Sequence, residues 1–264
     1  MRELLNISYE EYEALPGLRA SDLKKAQQSM LAYKWHMDHK HDDDDDDKTE
    51  SPSLRIGSAL HCAILEPEDY SSRYGVYEGI RRGKEWDSFK ANHPGMTMLS
   101  KGEAKKIDHM RKAYLANQLM VDMIRPSLTE VSVQFEIAGR ACKARFDALD
   151  TGSAADSIPA RIIDVKSASD VSKPGFQVDA KKYGYPLQAG FYFLAAMSLG
   201  VKPEAFLFAC LQNCPPHETA IYSITLAEML EQARNVEALV IRISDCERRN
   251  EWPGASSQPI QSLM

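Results

Sequence analysis

Long apolar runs are missing from this sequence of 264 residues, and their absence narrows the class of protein. No run approaches the roughly 20 residues of a membrane-spanning helix, and the first residues, MRELLNISYEEYEALPG, lack the apolar stretch of a secretion signal. The composition, with 44% hydrophobic and 27% charged residues, is that of an ordinary soluble globular protein. We therefore expect a cytoplasmic protein with no membrane partner, long enough to bury one sizeable core.

Cysteine is also scarce, and its spacing is wrong for a metal cluster. The five cysteines are odd in number and scattered, which is typical of reduced thiols in a cytoplasm. Cys210 and Cys214 form one close pair, but no second close pair exists to complete four ligands. We therefore expect neither an iron–sulfur cluster nor a structural zinc site.

Outside one acidic segment, the sequence also has no excess of positive or negative charge. The formal net charge is −6, and six acids form one run, Asp42–Asp47. Outside this run 38 − 6 = 32 acids balance 32 Lys and Arg, so the remaining chain is neutral and a polyanionic partner is not excluded. Like charges repel, which predicts a disordered, solvated loop over residues 41–50.

The spacing of apolar residues predicts one domain with two parts. Helical spacing dominates residues 1–125, with Ser21 as a helix N-cap and a Ser100–Glu103 capping box that opens a helix to about Ile124. Over residues 126–264 the pattern predicts a hairpin (TEVSVQFEI and ACKARFDALD), a third strand (ARIIDVKSAS), a helical stretch, two more strands and a closing helix. This order predicts an α/β fold, a central mixed five-stranded sheet flanked by helices. No repeat or long linker divides the chain, so residues 1–264 are expected to form a single domain.

Two charged side chains interrupt the apolar third strand. Asp164 and Lys166 lie two residues apart and therefore share one face, while Ile163 and Val165 face the opposite core. An unpaired buried charge costs several kcal/mol, so each needs a partner or a ligand. Asp147, near the end of the preceding strand, would add a second carboxylate, and two carboxylates repel unless a cation such as Mg²⁺ lies between them. The alternative is an exposed Asp–Lys pair on an edge strand.

Three more residues favour metal-dependent cleavage of a phosphodiester. Gln188 and Tyr192 share one helix face, where the Gln can bond a phosphate or a nucleophilic water, or merely lie at the rim. His61, among the small residues of GSALH, is either a core histidine or an extra metal ligand. Lys166 beside a phosphate would orient the attacking water or offset the charge of the transition state.

Four segments, GSALH, RFDALD, IIDVKSA and YPLQAGFY, resemble in this order the motifs of PD-(D/E)-x-K nucleases of the RecB-like branch. The likeness is greatest to RecE-type and phage-lambda-type recombination exonucleases. It includes GLRASDLKKAQQSMLAYKW, GSALHCAILEPEDY and NEWPG, and it spans roughly Ile7 to Gly254. Two departures are small: Phe146 precedes Asp147 where the family has Pro, and the second acid is Asp164 rather than Glu. Either carboxylate can hold Mg²⁺.

The resemblance implies a restriction-endonuclease-like core and a Mg²⁺-dependent 5′→3′ exonuclease. Such an enzyme degrades linear double-stranded DNA and leaves 3′ single-stranded tails for an annealing protein in phage-type recombination. It also implies a homo-trimer or homo-tetramer ring, and two Mg²⁺ ions per site, with Mn²⁺ able to substitute. The implied metal ligands are Asp147, Asp164, His61 and the backbone carbonyl of Val165; the implied catalytic residues are Lys166, Asp164, Asp147, Gln188 and Tyr192.

Candidate DNA-binding residues lie in two segments. Arg19 and Ser21 border a predicted helix N-terminus, which favours an anion such as a 5′-terminal phosphate, although Ser21 can equally be only a cap. A second set can contact or wedge the end of a duplex, or can form only a solvated basic loop: Arg81, Arg82, Lys84 and Trp86.

Two other functions remain open at this point. An endonuclease or flap nuclease can use the same fold, because fold alone does not decide function. A catalytically inactive module that binds DNA ends is disfavoured, because such a module has no use for the costly cluster of Asp147, Asp164, Lys166 and Gln188.

Overall fold

The computed structural model describes residues 3–40, 51–153 and 155–255, so the predicted acidic loop lies outside the described residues. Within these ranges no helix combines the length and apolar character that a membrane crossing requires. The helices are α1 (Tyr9–Ala14), α2 (Ala20–Gln28), α3 (Met30–Asp38), α4 (Pro52–Leu65), α5 (Tyr70–Arg73), α6 (Lys84–Asn92), α7 (Lys101–Ala116), α8 (Gln118–Ile124), α9 (Lys173–Tyr183), α10 (Tyr185–Ser198) and α11 (Leu226–Arg249). The strands are β1 (Tyr74–Tyr77), β2 (Thr97–Ser100), β3 (Leu128–Ile137), β4 (Arg140–Asp150), β5 (Ala160–Ala168), β6 (Pro203–Gln212) and β7 (Thr219–Thr225).

The main sheet has five strands in the order β3-β4-β5-β6-β7. Strands β5 and β6 are parallel, and the other neighbours are antiparallel. The predicted mixed five-stranded sheet flanked by helices is therefore confirmed. A separate parallel pair, β1 with β2, was not predicted, because four-residue strands give too short an alternation to be recognised.

Strand β5 lies at the centre of the sheet and is covered on both faces. Ile163 and Val165 are fully buried in a core with α4, α7 and α8, whereas Ile162 belongs to the core formed with α2, α3, α10 and α11. Asp164 and Lys166 alternate with the first pair, so they point to the α10 side. The predicted division of the two faces of this strand is confirmed.

Two of the predicted helical stretches are each divided into two helices, one at a side-chain cap and one at a left-handed glycine. The helix opened by Ser100 ends at Ala116, because the Asn117 side chain accepts the Met120 N–H at 3.2 Å and starts α8. The stretch after β5 divides at Gly184, whose φ of +65° is the left-handed conformation that ends α9 and precedes α10. The predicted extents were too long for this reason.

The predicted N-cap at Ser21 is wrong. Helix α2 begins at Ala20, and the Asp22 carboxylate caps it by accepting the N–H of Arg19 at 2.9 Å. Ser21 is an exposed residue of the first turn. Ser29 is extended and caps α3 through its hydroxyl, which accepts the Ala32 N–H at 3.0 Å, and this cap separates α3 from α2.

A glycine sets the distance between α10 and α11. A Cβ atom built on Gly190 would lie 2.5 Å from the carbonyl carbon of Gln232 and 2.7 Å from the nitrogen of Ala233. Both atoms belong to the α11 backbone and cannot rotate away. Because α10 also carries Gln188, this close approach positions one side of the cleft described below.

We expect Gly190→Ala to lower the free energy of unfolding by about 1–3 kcal/mol, because the backbone clash outweighs the higher helix propensity of Ala. The matched control is Gly57→Ala in α4, where nothing lies within 4 Å of the added Cβ, and it is expected to gain up to about 1 kcal/mol. Denaturant unfolding of both variants measures the difference. A Gly190→Ala variant as stable as Gly57→Ala would contradict the assigned packing.

Candidate active site

The two charged residues of β5 are bonded to each other and to α10. Lys166 Nζ lies 2.6 Å from Asp164 Oδ2, and Gln188 Nε2 donates to Asp164 Oδ1 at 2.7 Å. Asp164 and Gln188 are both buried. Burial alone would lower the pKa of Lys166, but the carboxylates of Asp164 and Asp147 outweigh it and raise that pKa. The lysine therefore stays protonated beside a fixed carboxylate.

Asp147 occupies the place where β4 and β5 separate. The two strands pair only from Ala148 with Ile163 to Asp150 with Arg161. Beyond this pairing, Asp147 Oδ2 accepts the backbone N–H of Val165 at 2.8 Å. Burial, followed by the charge of Asp164, raises the pKa of Asp147 to about 8. Without a cation this carboxyl thus keeps its proton to a higher pH than an ordinary aspartic acid does.

His61 reaches the same place from α4. Its Nε2 lies 2.9 Å from the Val165 carbonyl, and its Nδ1 lies 3.6 Å from Asp147 Oδ2. A carbonyl only accepts, so Nε2 carries the hydrogen, and burial lowers the pKa of the ring and keeps it neutral. The lone pair of Nδ1 therefore faces a carboxylate oxygen, an arrangement that a proton or a cation between the two atoms stabilises.

Glu130 completes a group that the sequence did not predict. One ligand atom from each of His61, Glu130 and Asp147 lies within 4.8 Å of the others. Burial and the charge of Asp147 raise the pKa of Glu130, although Arg145 Nε contacts its carboxylate at 2.7 Å. Asp164 lies outside this group, because its oxygens face Lys166 and Gln188.

The backbone of Glu130 explains why its position was missed. Its φ is +52°, a conformation that non-glycine residues adopt at a cost of roughly 1–3 kcal/mol, usually where the surroundings enforce it. An acid among alternating strand residues is expected to face solvent. The left-handed residue breaks that alternation in β3, and nothing in the sequence signals the break.

These donors fit a divalent cation. Burial and a neighbouring carboxyl raise the pKa of both acids, with Asp147 acting on Glu130 and Asp164 acting on Asp147. A neutral imidazole presents an unprotonated nitrogen to Asp147. A divalent cation would remove the repulsion and would take the Nδ1 lone pair. The Val165 carbonyl, predicted as a ligand, accepts a hydrogen bond from His61, and its role as a metal ligand stays a prediction.

Tyr192 is near this site, but its hydroxyl already has an acceptor. It donates to the Arg145 carbonyl at 2.9 Å, and its ring packs edge-on against Phe146 with centroids 5.4 Å apart. Both contacts are to the β4 residues just before Asp147. The structure therefore places Tyr192 as a support for β4, although it lines the same cleft.

The site opens into a cleft of about 750 Å³. Of the predicted residues, the lining includes His61, Asp147, Gln188, Tyr192, Arg19 and Ser21. Arg19 is paired with Glu13 at 2.6 Å, which makes it a less available cation than predicted. The second predicted DNA-binding set, Arg81, Arg82, Lys84 and Trp86, does not line the cleft. Arg81 donates to Glu103 at 2.8 Å, and Trp86 packs on Tyr77 with ring centroids 5.1 Å apart.

The raised pKa of Asp147 predicts a pH-dependent stability of the cation-free protein. The unfolded residue titrates at about pH 4, whereas the folded one titrates at about 8. Between these values the folded state holds the extra proton, so the stability it contributes is lost as pH rises through the folded pKa. We expect the melting temperature to fall as the pH rises towards 8. The trend is clearest above about pH 7, where His61 is mostly neutral in the unfolded state as well.

Asp147→Asn is expected to remove this fall, and Asp122→Asn, at an exposed position, is expected to leave it unchanged. An added divalent cation should raise the melting temperature more at pH 8 than at pH 6.5, because its ligands must lose protons. Thermal melts of the three proteins measure both effects. An Asp147→Asn variant with the slope of the wild type would contradict the assignment.

Comparison with other proteins agrees with this architecture. Residues 20–260 match a family described as a PDDEXK-like domain of unknown function, DUF3799. No curated protein matches the chain. A candidate exonuclease from Eubacterium rectale is 15% identical, with a TM-score of 0.65 over 98% of this chain and 95% of that one. The structure of SSO0001 is 14% identical, with a TM-score of 0.32 over 78% of this chain and 89% of that one, which is too distant to carry an argument.

At this identity the likeness to the Eubacterium rectale protein shows the fold alone, and that fold is the predicted α/β core. The family match confirms the PD-(D/E)-x-K part of the resemblance, while its RecE-type part stays a prediction. The match extends over most of the chain, from α2 to beyond the end of α11. The chain therefore belongs to the PDDEXK-like family DUF3799.

Proposed function

We propose that the protein is a divalent-metal-dependent deoxyribonuclease that degrades linear double-stranded DNA in the 5′→3′ direction and leaves 3′ single-stranded tails for strand annealing. The observation that carries the proposal is the junction of β4 and β5. There the possible metal ligands His61, Glu130 and Asp147 lie next to a protonated Lys166. Asp164 pairs with Lys166, and Gln188 in turn holds Asp164. Buried charges in such number are costly unless a cation and an anionic substrate bind among them.

The proposed 5′→3′ polarity of digestion rests on other support. The RecE-type and lambda-type motifs imply 5′→3′ polarity, and the solved relative from Eubacterium rectale is described as a candidate exonuclease. The same motifs imply Mg²⁺, with Mn²⁺ as a substitute and two ions per site, and a ring of three or four subunits that works with an annealing protein. We include these features in the proposal.

In this proposal Asp147, Glu130 and His61 hold the cation, with Asp164 beside them. A bound divalent cation supplies Lewis-acid activation of water and neutralises part of the phosphate charge. The Nε2–H of His61 stays on the Val165 carbonyl, which orients the ring so that Nδ1 remains free for the cation. Asp147 gives up its proton when the cation binds.

Lys166 acts on the phosphate, and Gln188 supports it through Asp164. The ammonium of Lys166 donates to a non-bridging oxygen, where negative charge grows in the transition state. Asp164 keeps this ammonium protonated and fixes its direction. Gln188 Nε2 donates to the second oxygen of Asp164 and so fixes the position of β5 relative to α10. This contact keeps Asp164 and Lys166 in place while negative charge grows on the phosphate.

The first test uses linear duplex DNA labelled at one 5′ or one 3′ end, in the presence of Mg²⁺. The expected result is early release of the 5′ label as a short product and late release of the 3′ label. Covalently closed circular duplex should remain intact. Cutting of the circle would instead support an endonuclease or flap nuclease on the same fold.

The second test compares Asp164→Ala with Asp170→Ala, an exposed acid just beyond the same strand. Loss of the Asp164 carboxylate leaves Lys166 without its partner and is expected to lower the rate of digestion by roughly 100-fold or more. The control should keep the parental rate. A folded Asp164→Ala variant that digests linear duplex as fast as the parent would reject the catalytic assignment of Asp164.

A further inference from the structure

Lys24, on α2, reaches the proposed active site but has no role in the mechanism above. Its Nζ lies 3.4 Å from Gln188 Oε1, on the opposite end of the amide from the Asp164 contact. It also lies 5.7 Å from the centre of the Tyr185 ring, and Lys166 Nζ lies 4.9 Å from that same centre. Two ammonium groups therefore share one aromatic ring beside the β5 carboxylate.

The other cations around this cleft are neutralised or fully bonded. Arg19 is paired with Glu13, Arg145 with Glu130 and Lys166 with Asp164. Lys143 Nζ donates to three backbone carbonyls. For Lys24, no carboxylate within the described residues lies at ion-pair distance, and its only hydrogen bond is the long one to a neutral amide.

This isolation has an electrostatic cost. Lys24 is half-buried, and burial followed by repulsion from Lys166 lowers its pKa to about 8, with only a smaller opposing contribution from Asp164. A cation that is withdrawn from water and placed beside a second cation is stabilised by an anion that contacts both. The protein itself offers no such anion within the described residues, so the site favours one from a ligand.

The position of Lys24 is set by the start of α10 and is not that of a free surface side chain. A Cβ atom on Gly184 would lie 3.3 Å from Cγ and 3.5 Å from Cδ of Lys24, so the glycine leaves room for the lysine stem. Gly184 also has a φ of +65° and accepts the backbone N–H of Gln188 at 3.1 Å. The first turn of α10 thus provides the Tyr185 ring and the Gln188 amide that contact the Lys24 ammonium. Gly184 leaves the space for the Lys24 stem.

We infer that Lys24 is a second phosphate-binding cation of the active site, whose ammonium donates to a non-bridging oxygen of the DNA phosphate lying between it and Lys166. This inference rests on the proposed function, because it takes the nucleic-acid strand as the ligand. The phosphate replaces the missing carboxylate of Lys24 and relieves the repulsion between the two ammonium groups. Lys24 then contacts the substrate directly, and Gln188 connects it to Asp164.

The test compares Lys24→Met with Lys25→Met, which removes the same charge from an exposed neighbouring residue of α2. Lys24→Met is expected to lower kcat/KM for linear duplex by roughly 10- to 100-fold, equivalent to about 1.4–2.7 kcal/mol, whereas Lys25→Met keeps the parental value. Lys24→Arg should restore part of the loss, because a guanidinium also binds phosphate.

A second measurement separates phosphate binding from a merely structural role. The affinity for duplex is measured without a divalent cation at several salt concentrations. Lys24→Met should reduce the slope of log affinity against log salt by about 0.9, as expected for one lost phosphate contact, and Lys25→Met should not. The melting temperature of Lys24→Met should equal or exceed that of the parent, because an uncompensated cation has been replaced by an uncharged side chain of similar length.

The outcomes distinguish this inference from the proposed function. If the parent hydrolyses duplex and Lys24→Met matches it in kcat/KM and in salt slope, the inference is wrong and the nuclease assignment stands. If the parent shows no metal-dependent hydrolysis, the proposed function fails, and the salt slopes alone decide whether Lys24 binds phosphate. An equal slope then overturns the inference. If Lys24→Met does not fold, Lys24→Gln, which keeps a polar tip near Gln188, is measured in the same two ways.

Discussion

Repulsion between carboxyl groups that are partly or fully withdrawn from solvent is the constraint on which the arrangement of this protein depends. Asp147, Glu130 and Asp164 all reach the place where β4 and β5 separate, and no arrangement of three such groups is stable without compensation. The chain supplies part of it, through a lysine beside Asp164, an arginine beside Glu130 and a retained proton on Asp147. The remainder would come from the cation that we propose binds there.

The surrounding fold keeps these groups from relaxing apart. Strand β5 is buried on both faces, so Asp164 cannot turn away without exposing the apolar residues on either side of it. Helix α10 is fixed against α11 at Gly190, where backbones touch, and it brings Gln188 to the Asp164 carboxylate. Tyr192, one turn further, bonds to the backbone of β4. A single helix therefore holds β4 and β5, two of the three strands that carry the acids.

The fold and about half of the site could be predicted from the sequence, for identifiable reasons. The period-two pattern is clear in β3 and β4, where apolar and polar residues alternate, and the i, i+2 relation of Asp164 and Lys166 in β5 follows from strand geometry alone. Glu130 could not be predicted, because its side chain enters the site through one left-handed residue. Lys24 could not be predicted either, because its neighbours Gly184 and Tyr185 are distant in sequence and meet it only in the folded chain. The helix interruptions at Ser29 and Asn117 depended on side-chain caps that compete with helical hydrogen bonds.

The bond from the Val165 N–H to the Asp147 carboxyl has a consequence for the exchange of the cation. With His61 on the Val165 carbonyl and Arg145 on Glu130, each donor of the group is already attached to a neighbouring residue before any cation arrives. Little conformational entropy is then lost on loading, and little structure is released on unloading. If a cation binds there as proposed, its exchange would be governed by proton transfer from Asp147 and by dehydration of the ion, without a change in the shape of the cleft.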